Sequence, residues 1–187
     1  VIGAITAGLF GTGVPPVTNS YESIQTYVVG SGGQSDITFT TIPSTYKHLQ
    51  IRGIVKSSAG GTEDLRMQLN SVTSNYAVHG LYGTGSGTPT ANSGTSQAAI
   101  VQPYNVVVYN GATSIFGAVI FDILDYANTN KYKTVRTLGG CDLNGSGTIG
   151  LYSGLFQDTT AISSIKLFPA NNNFSQYSSF ALYGIRG

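Results

Sequence analysis

The chain has 187 residues, of which 9% are charged and 41% hydrophobic, with a formal net charge of +1. That length suits one domain with a sizeable core rather than two, and low charge combined with high hydrophobicity excludes charge-driven disorder. Its nine Lys and Arg residues are dispersed, which argues against nucleic acid as a partner, and one cysteine, Cys141, makes no internal disulfide.

Residues 1–10 read VIGAITAGLF, almost wholly apolar, and the first charge in the chain is Glu22. The run has no basic flank, is about half the length of a membrane helix, and contains Gly3 and Gly8, so neither a targeting signal nor a membrane span is expected. Pro15 and Pro16 then hold the backbone extended, with Gly11 and Gly13 as bends. Residues 1–20 are expected to form an extended apolar N-terminal arm. Val1, Ile2, Ile5, Leu9, Phe10, Val14, Pro15 and Pro16 are its candidate partner-binding side chains, because exposed apolar segments mark contact sites. The alternative is a terminal strand docked on its own domain.

From residue 21 to 187 the chain reads as one domain of short strands cut by turns. YESIQTYVV (21–29) alternates, with Tyr21, Ser23, Gln25, Tyr27 and Val29 on one face. DITFT (36–40) follows, then KHLQIRGIVK (47–56), where Leu49, Ile51, Gly53 and Val55 share the dry face. DLRMQLN (64–70) groups Leu65, Met67 and Leu69, and residues 75–82 form a shorter candidate. Residues 83–97 hold no large apolar side chain and read as a long exposed loop. Strands are then expected at 98–109, 115–126, 131–138, 148–157, 162–168 and 178–186, and IFGAVIFDILDY (115–126), the most continuous apolar run, is the best candidate for a central strand. At most a turn of helix is expected, near residues 43–47 or 126–131. The pattern predicts an all-β, antiparallel fold of about 8 to 11 strands: a sandwich, jelly roll or barrel.

Motifs that suggest chemistry are weak. DLNGSGTIGLYS (142–153) begins like a calcium loop, but Ser153 stands where the closing Glu is needed and strands flank it, so a tight β-turn is the expectation. GSGTIG (145–150) has dinucleotide-type glycines but runs on as a strand. His48 and His79 are expected to be hydrogen-bonded strand residues, and Asp122 and Asp125 to point to opposite sides of a strand. Asp125 is expected to bond to the backbone of the turn after it, near Asn128. Lys131, Lys133 and Arg136 form a modest basic cluster, read as an edge-strand safeguard or a subunit contact. No catalytic, cofactor or metal residues emerge, and a non-enzymatic role is expected.

At IPSTYKHLQIRGIVKS (42–57), DILDYANTNKYKTVRTLGGCDLNGSG (122–147) and SSFALYGIRG (178–187), the chain resembles a family of uncharacterised virion proteins of tailed phages, especially phages of cyanobacteria. The likeness runs over most of residues 21–187. It implies a small jelly-roll sandwich used as a capsid cement or decoration protein: a homotrimer on the outer shell of the virion, with the major capsid protein as partner and no membrane or nucleic acid. The alternative is a tail-associated or fibre-tip protein that binds host surface glycans.

Overall fold

The computed structural model describes residues 20–107 and 114–187. The expected arm and its eight candidate side chains, Val1, Ile2, Ile5, Leu9, Phe10, Val14, Pro15 and Pro16, lie outside the described residues. The described residues form twelve strands, all paired antiparallel where they meet. In chain order these are β1 (Tyr21–Val28), β2 (Ile37–Phe39), β3 (His48–Val55), β4 (Glu63–Leu69), β5 (Tyr76–Gly83) and β6 (Thr90–Gln97). They continue with β7 (Ile100–Val107), β8 (Gly117–Leu124), β9 (Lys133–Asp142), β10 (Gly147–Phe156), β11 (Ile165–Pro169) and β12 (Ser179–Ile185).

Eight strands make one sheet in the order β1-β12-β3-β8-β9-β10-β5-β6, and four make the other, β2-β11-β4-β7. With the pairs β5–β6 and β9–β10 set aside, the remaining strands form two four-stranded sheets, β1-β12-β3-β8 and β2-β11-β4-β7. The chain passes back and forth between these two sheets, which is the jelly-roll order. The two set-aside pairs extend the first sheet to eight strands, and they explain why the count exceeds the expected upper limit.

Alternation in the sequence decides which side chains enter the sandwich. In β4 Leu65, Met67 and Leu69 are buried, in β3 Leu49, Ile51 and Val55, and in β8 Val119, Phe121 and Ile123. They meet Ile165 and Leu167 of β11, Phe180 and Leu182 of β12, and Phe39 of β2 in one apolar cluster. Each fully buried aliphatic side chain contributes about 1.5–3 kcal/mol of transfer free energy, so this shared interior is the main source of stability. Tyr76 and Phe156 stack with centroids 4.9 Å apart, closing the core beneath the β5–β10 pair.

Three local expectations change. β1 keeps Tyr21 and Ser23 outward, but a bulge between Ser23 and Gln25 shifts the register, so Tyr27, opposite Phe180, turns inward to pack on Phe39. Tyr21 and Tyr27 therefore lie on opposite faces. Residues 90–97 are strand β6, not loop. No helical turn occurs at 43–47 or 126–131; the latter holds a reverse turn in which the Asn128 amide donates to the Asp125 carbonyl at 2.9 Å.

Candidate contact face

One face of the eight-stranded sheet covers the core, and the other is open. An open face of an antiparallel sheet ordinarily carries polar side chains. Here the register brings Ile120 of β8 opposite Leu138 of β9, Leu138 opposite Leu151 of β10, Leu151 opposite Leu81 of β5, and Leu81 opposite Ala91 of β6. The result is an apolar row across five consecutive strands, with Ile120 39%, Leu138 50%, Leu151 51% and Leu81 52% exposed. A second row lies beside it, where Ile54, Ala118, Gly140 and Ile149 are successive partners. Ile54 and Ile149 are both well exposed. Together the two rows form a patch on the order of 500 Å², comparable to the largest apolar patch of a typical monomer, which is often functional.

The second row, together with Ile120 and Leu138 of the first, floors a groove of about 1410 Å³. Its walls are the β9–β10 loop on one side, residues 84–86 on another, and Phe116 and Thr62 at an end. The loop is the segment with calcium-like spacing, and the structure makes it a tight hairpin. The Leu143 amide donates to the Ser146 carbonyl at 2.8 Å, and the Asn144 amide donates to Asp142 Oδ1 at 2.8 Å. Asn144 and Gly145 take the left-handed backbone that such a turn requires, with φ of 60° and 118°. The glycine-rich stretch after it runs on as β10, as expected. Cys141, half-buried in the groove wall, has its thiol pKa pushed up by burial, which disfavours the nucleophilic thiolate.

Beside the apolar rows runs a polar one: Gln50, Asp122, Arg136, Ser153, His79 and Ser93 are successive cross-strand partners. Asp122 Oδ1 accepts from Gln50 Nε2 at 2.8 Å, and its Oδ2 accepts from Arg136 at 3.1 Å. Arg52 Nε donates to Gln50 Oε1 at 2.8 Å, and the Arg52 guanidinium lies 5.5 Å from the Tyr21 ring centre and 5.4 Å from that of Tyr183. Asp122 and Arg136 thus compensate each other, while Arg52 is held by an amide oxygen and two aromatic rings.

Asp125 lies apart, at the end of β8, with Lys47 Nζ 2.8 Å from its carboxylate and Lys131 on the other oxygen. These two ammonium groups lower its pKa to about 2. Asp122 and Asp125 are therefore not brought together. The expected bond from Asp125 to its turn comes from the backbone carbonyl, while the carboxylate binds the two lysines. His48 accepts the Asp125 amide on Nδ1 at 3.0 Å, the hydrogen-bonded role expected for it. His79 stands exposed in β5 between Ser153 and Ser93.

The basic cluster is corrected. β9 lies between β8 and β10, so it is no edge, and Lys133 is fully buried rather than shared on a face with Lys131. Its Nζ donates to the carbonyls of Asn128, Lys131 and Thr159 at 2.7, 3.1 and 2.9 Å. Among the described residues, no group of three or more His, Cys, Asp or Glu is placed to hold a metal ion. Sequence reading missed the contact face. Its signal was the unbroken apolar run of β8, which lies inside the eight-stranded sheet as expected of a central strand: Val119, Phe121 and Ile123 are buried, whereas Ile120 and Leu124 are exposed.

No family model matches the chain. No curated protein matches it either. A solved structure of a protein of unknown function from Shewanella oneidensis MR-1 is similar at 11% identity, covering 90% of this chain and 77% of that one, with a TM-score of 0.22. That superposition is too loose to bear on fold or function.

Proposed function

We propose that this chain is a non-enzymatic structural protein of a phage particle: a capsid cement or decoration protein that seats on the outer shell and bridges capsomers. The observation that carries the reading is the apolar row Ile120, Leu138, Leu151 and Leu81, which folding leaves uncovered. A wide sheet face with few charges suits many shallow contacts with a repeating surface, where strength comes from number. The resemblance to virion proteins of tailed phages supplies the particle, the major capsid protein as partner and a homotrimeric arrangement. In mechanical terms, each seated copy obliges several interfaces to break together before the shell can yield.

The test is decoration of purified shells that lack the protein, comparing the wild type with L138K/L151K. Both sites are half-exposed and point away from the core, so the variant is expected to fold with an unchanged circular dichroism spectrum. Each buried leucine contributes about 1.5–3 kcal/mol at a contact, so occupancy is expected to fall at least tenfold. Undiminished decoration by the variant would remove the face from the mechanism.

A second reading, a tail-located binder of host glycans, is favoured by the polar row beside Tyr21 and Tyr183. Copy number in the particle separates the two readings: many copies over the head support cement, whereas a few at the tail support adhesion.

A further inference from the structure

The eight-stranded sheet ends in β1 and β6, and the four-stranded sheet in β2 and β7. An edge strand presents a row of backbone N–H and C=O groups that templates another strand, and folded proteins blunt such edges with bulges, charges, proline or brevity. β1 carries its bulge at Ser23 to Gln25 and the Glu22–Arg186 ion pair. β2 is three residues long, and β7 contains Pro103. β6 differs from all three. Its sequence, TANSGTSQ, has neither charge nor proline, and residues 90–94 pair with β5 with no break in register. A bulge interrupts it only beyond Gly94, where Ser96 takes a φ of 55°.

We propose that β6 is a homotypic edge, at which residues 90–94 of two copies pair antiparallel about a two-fold axis and join two eight-stranded sheets into one. A two-fold pairing sets each side chain against its own kind or a near neighbour, so a charged strand would repel itself, and β6 has no charge to do so. The strand is also held firmly on its inner side. Asn92 Nδ2 donates to the Tyr152 hydroxyl at 3.4 Å, and the Tyr152 ring lies on Gly80, where a Cβ would come within 2.2 Å of it. With Asn92 on the axis, Ala91 of one copy meets Ser93 of the other, and Thr90 meets Gly94. Small side chains thus face each other, and the apolar row that ends at Ala91 meets, at Ser93, the polar row of the other copy. Five residues a side bury less than the ~1,200 Å² of a stable specific interface, so the pairing is weak in solution and strengthens where copies are held side by side. This pairing stands whether or not the sheet face seats on a shell.

Sedimentation velocity of the full chain, over a concentration series reaching about 1 mM, is expected to show the mass at least doubling at the upper end, since a monomer offers one such edge and a trimer three. A91K/S93K, which sets lysines against lysines at the axis, is expected to keep the lower mass throughout. L138S, which alters the open face and leaves β6 intact, is expected to double as the wild type does. Hydrogen exchange on the unmodified chain gives a second readout, since amides in residues 90–94 gain protection with concentration and those of β1 do not. A wild type that never doubles, a doubling that survives A91K/S93K, or one abolished by L138S would each overturn the proposal.

Discussion

Lys133 carries a charge with no exposed surface, and the reason is geometric. Its three carbonyl partners come from the loops on either side of the β9–β10 pair, so a single ammonium fastens both. Burial lowers its pKa, and the bonds to backbone oxygens offset part of that cost. Lys133→Met keeps the aliphatic stem and removes all three donors; urea unfolding is expected to show a loss of about 2–4 kcal/mol. Asp125 gives the acid response. Its pKa falls from 3.8 unfolded to about 2 folded, so the folded state takes up that proton later than the unfolded state as pH drops. The stabilisation is full above 3.8 and is lost as pH falls through about 2. In Asp125→Asn the thermal midpoint is expected to depend less steeply on pH across that window than in the wild type.

At the scale of the strand, Gly80 and Tyr152 form a joint. A methyl group at Gly80 would collide with the Tyr152 ring, which is itself buried. Gly80→Ala is expected to cost about 1–3 kcal/mol through overpacking. The tilted ring would also lose its bond to Asn92, so hydrogen exchange should speed up in β6 before it does in β3.

β6 also shows where sequence reading stops. Period-two alternation of apolar side chains marks strands that help bury a core, and it located β3, β4, β8, β11 and β12 to within a few residues. TANSGTSQ has no such alternation, because this strand is held by backbone pairing to β5 and one side-chain bond to Tyr152. The contact face was illegible for a related reason. Alternation says that Ile120 and Phe121 point to opposite sides, but not that Leu138, Leu151 and Leu81 will line up beside Ile120. That alignment depends on register and strand order, which arise from turns and non-local pairing.

On the scale of the whole molecule, the described residues close a core of their own, and Ser20 joins it through its carbonyl, which accepts the Arg186 amide at 3.2 Å. Removing residues 1–19 is therefore expected to leave a folded domain with its thermal midpoint nearly unchanged. Under the proposed capsid role, particle incorporation is expected to fall, since the apolar residues of this segment are the candidate partner-binding side chains. Normal incorporation of the truncated chain would show that the sheet alone anchors it.

The two extra strand pairs leave and rejoin the jelly-roll frame at neighbouring points. β5–β6 departs after β4 and returns at β7, which already pairs with β4, and the segment carrying β9–β10 is pinched together by the Ile162 amide on the Tyr126 carbonyl at 3.0 Å. Lengthening either pair at its outer end, beyond the core side chains Tyr76, Val78, Val135 and Phe156, would leave the eight frame strands where they are. The breadth of the platform can thus be tailored to its target independently of the framework beneath it, much as a roof overhang is set without moving the walls.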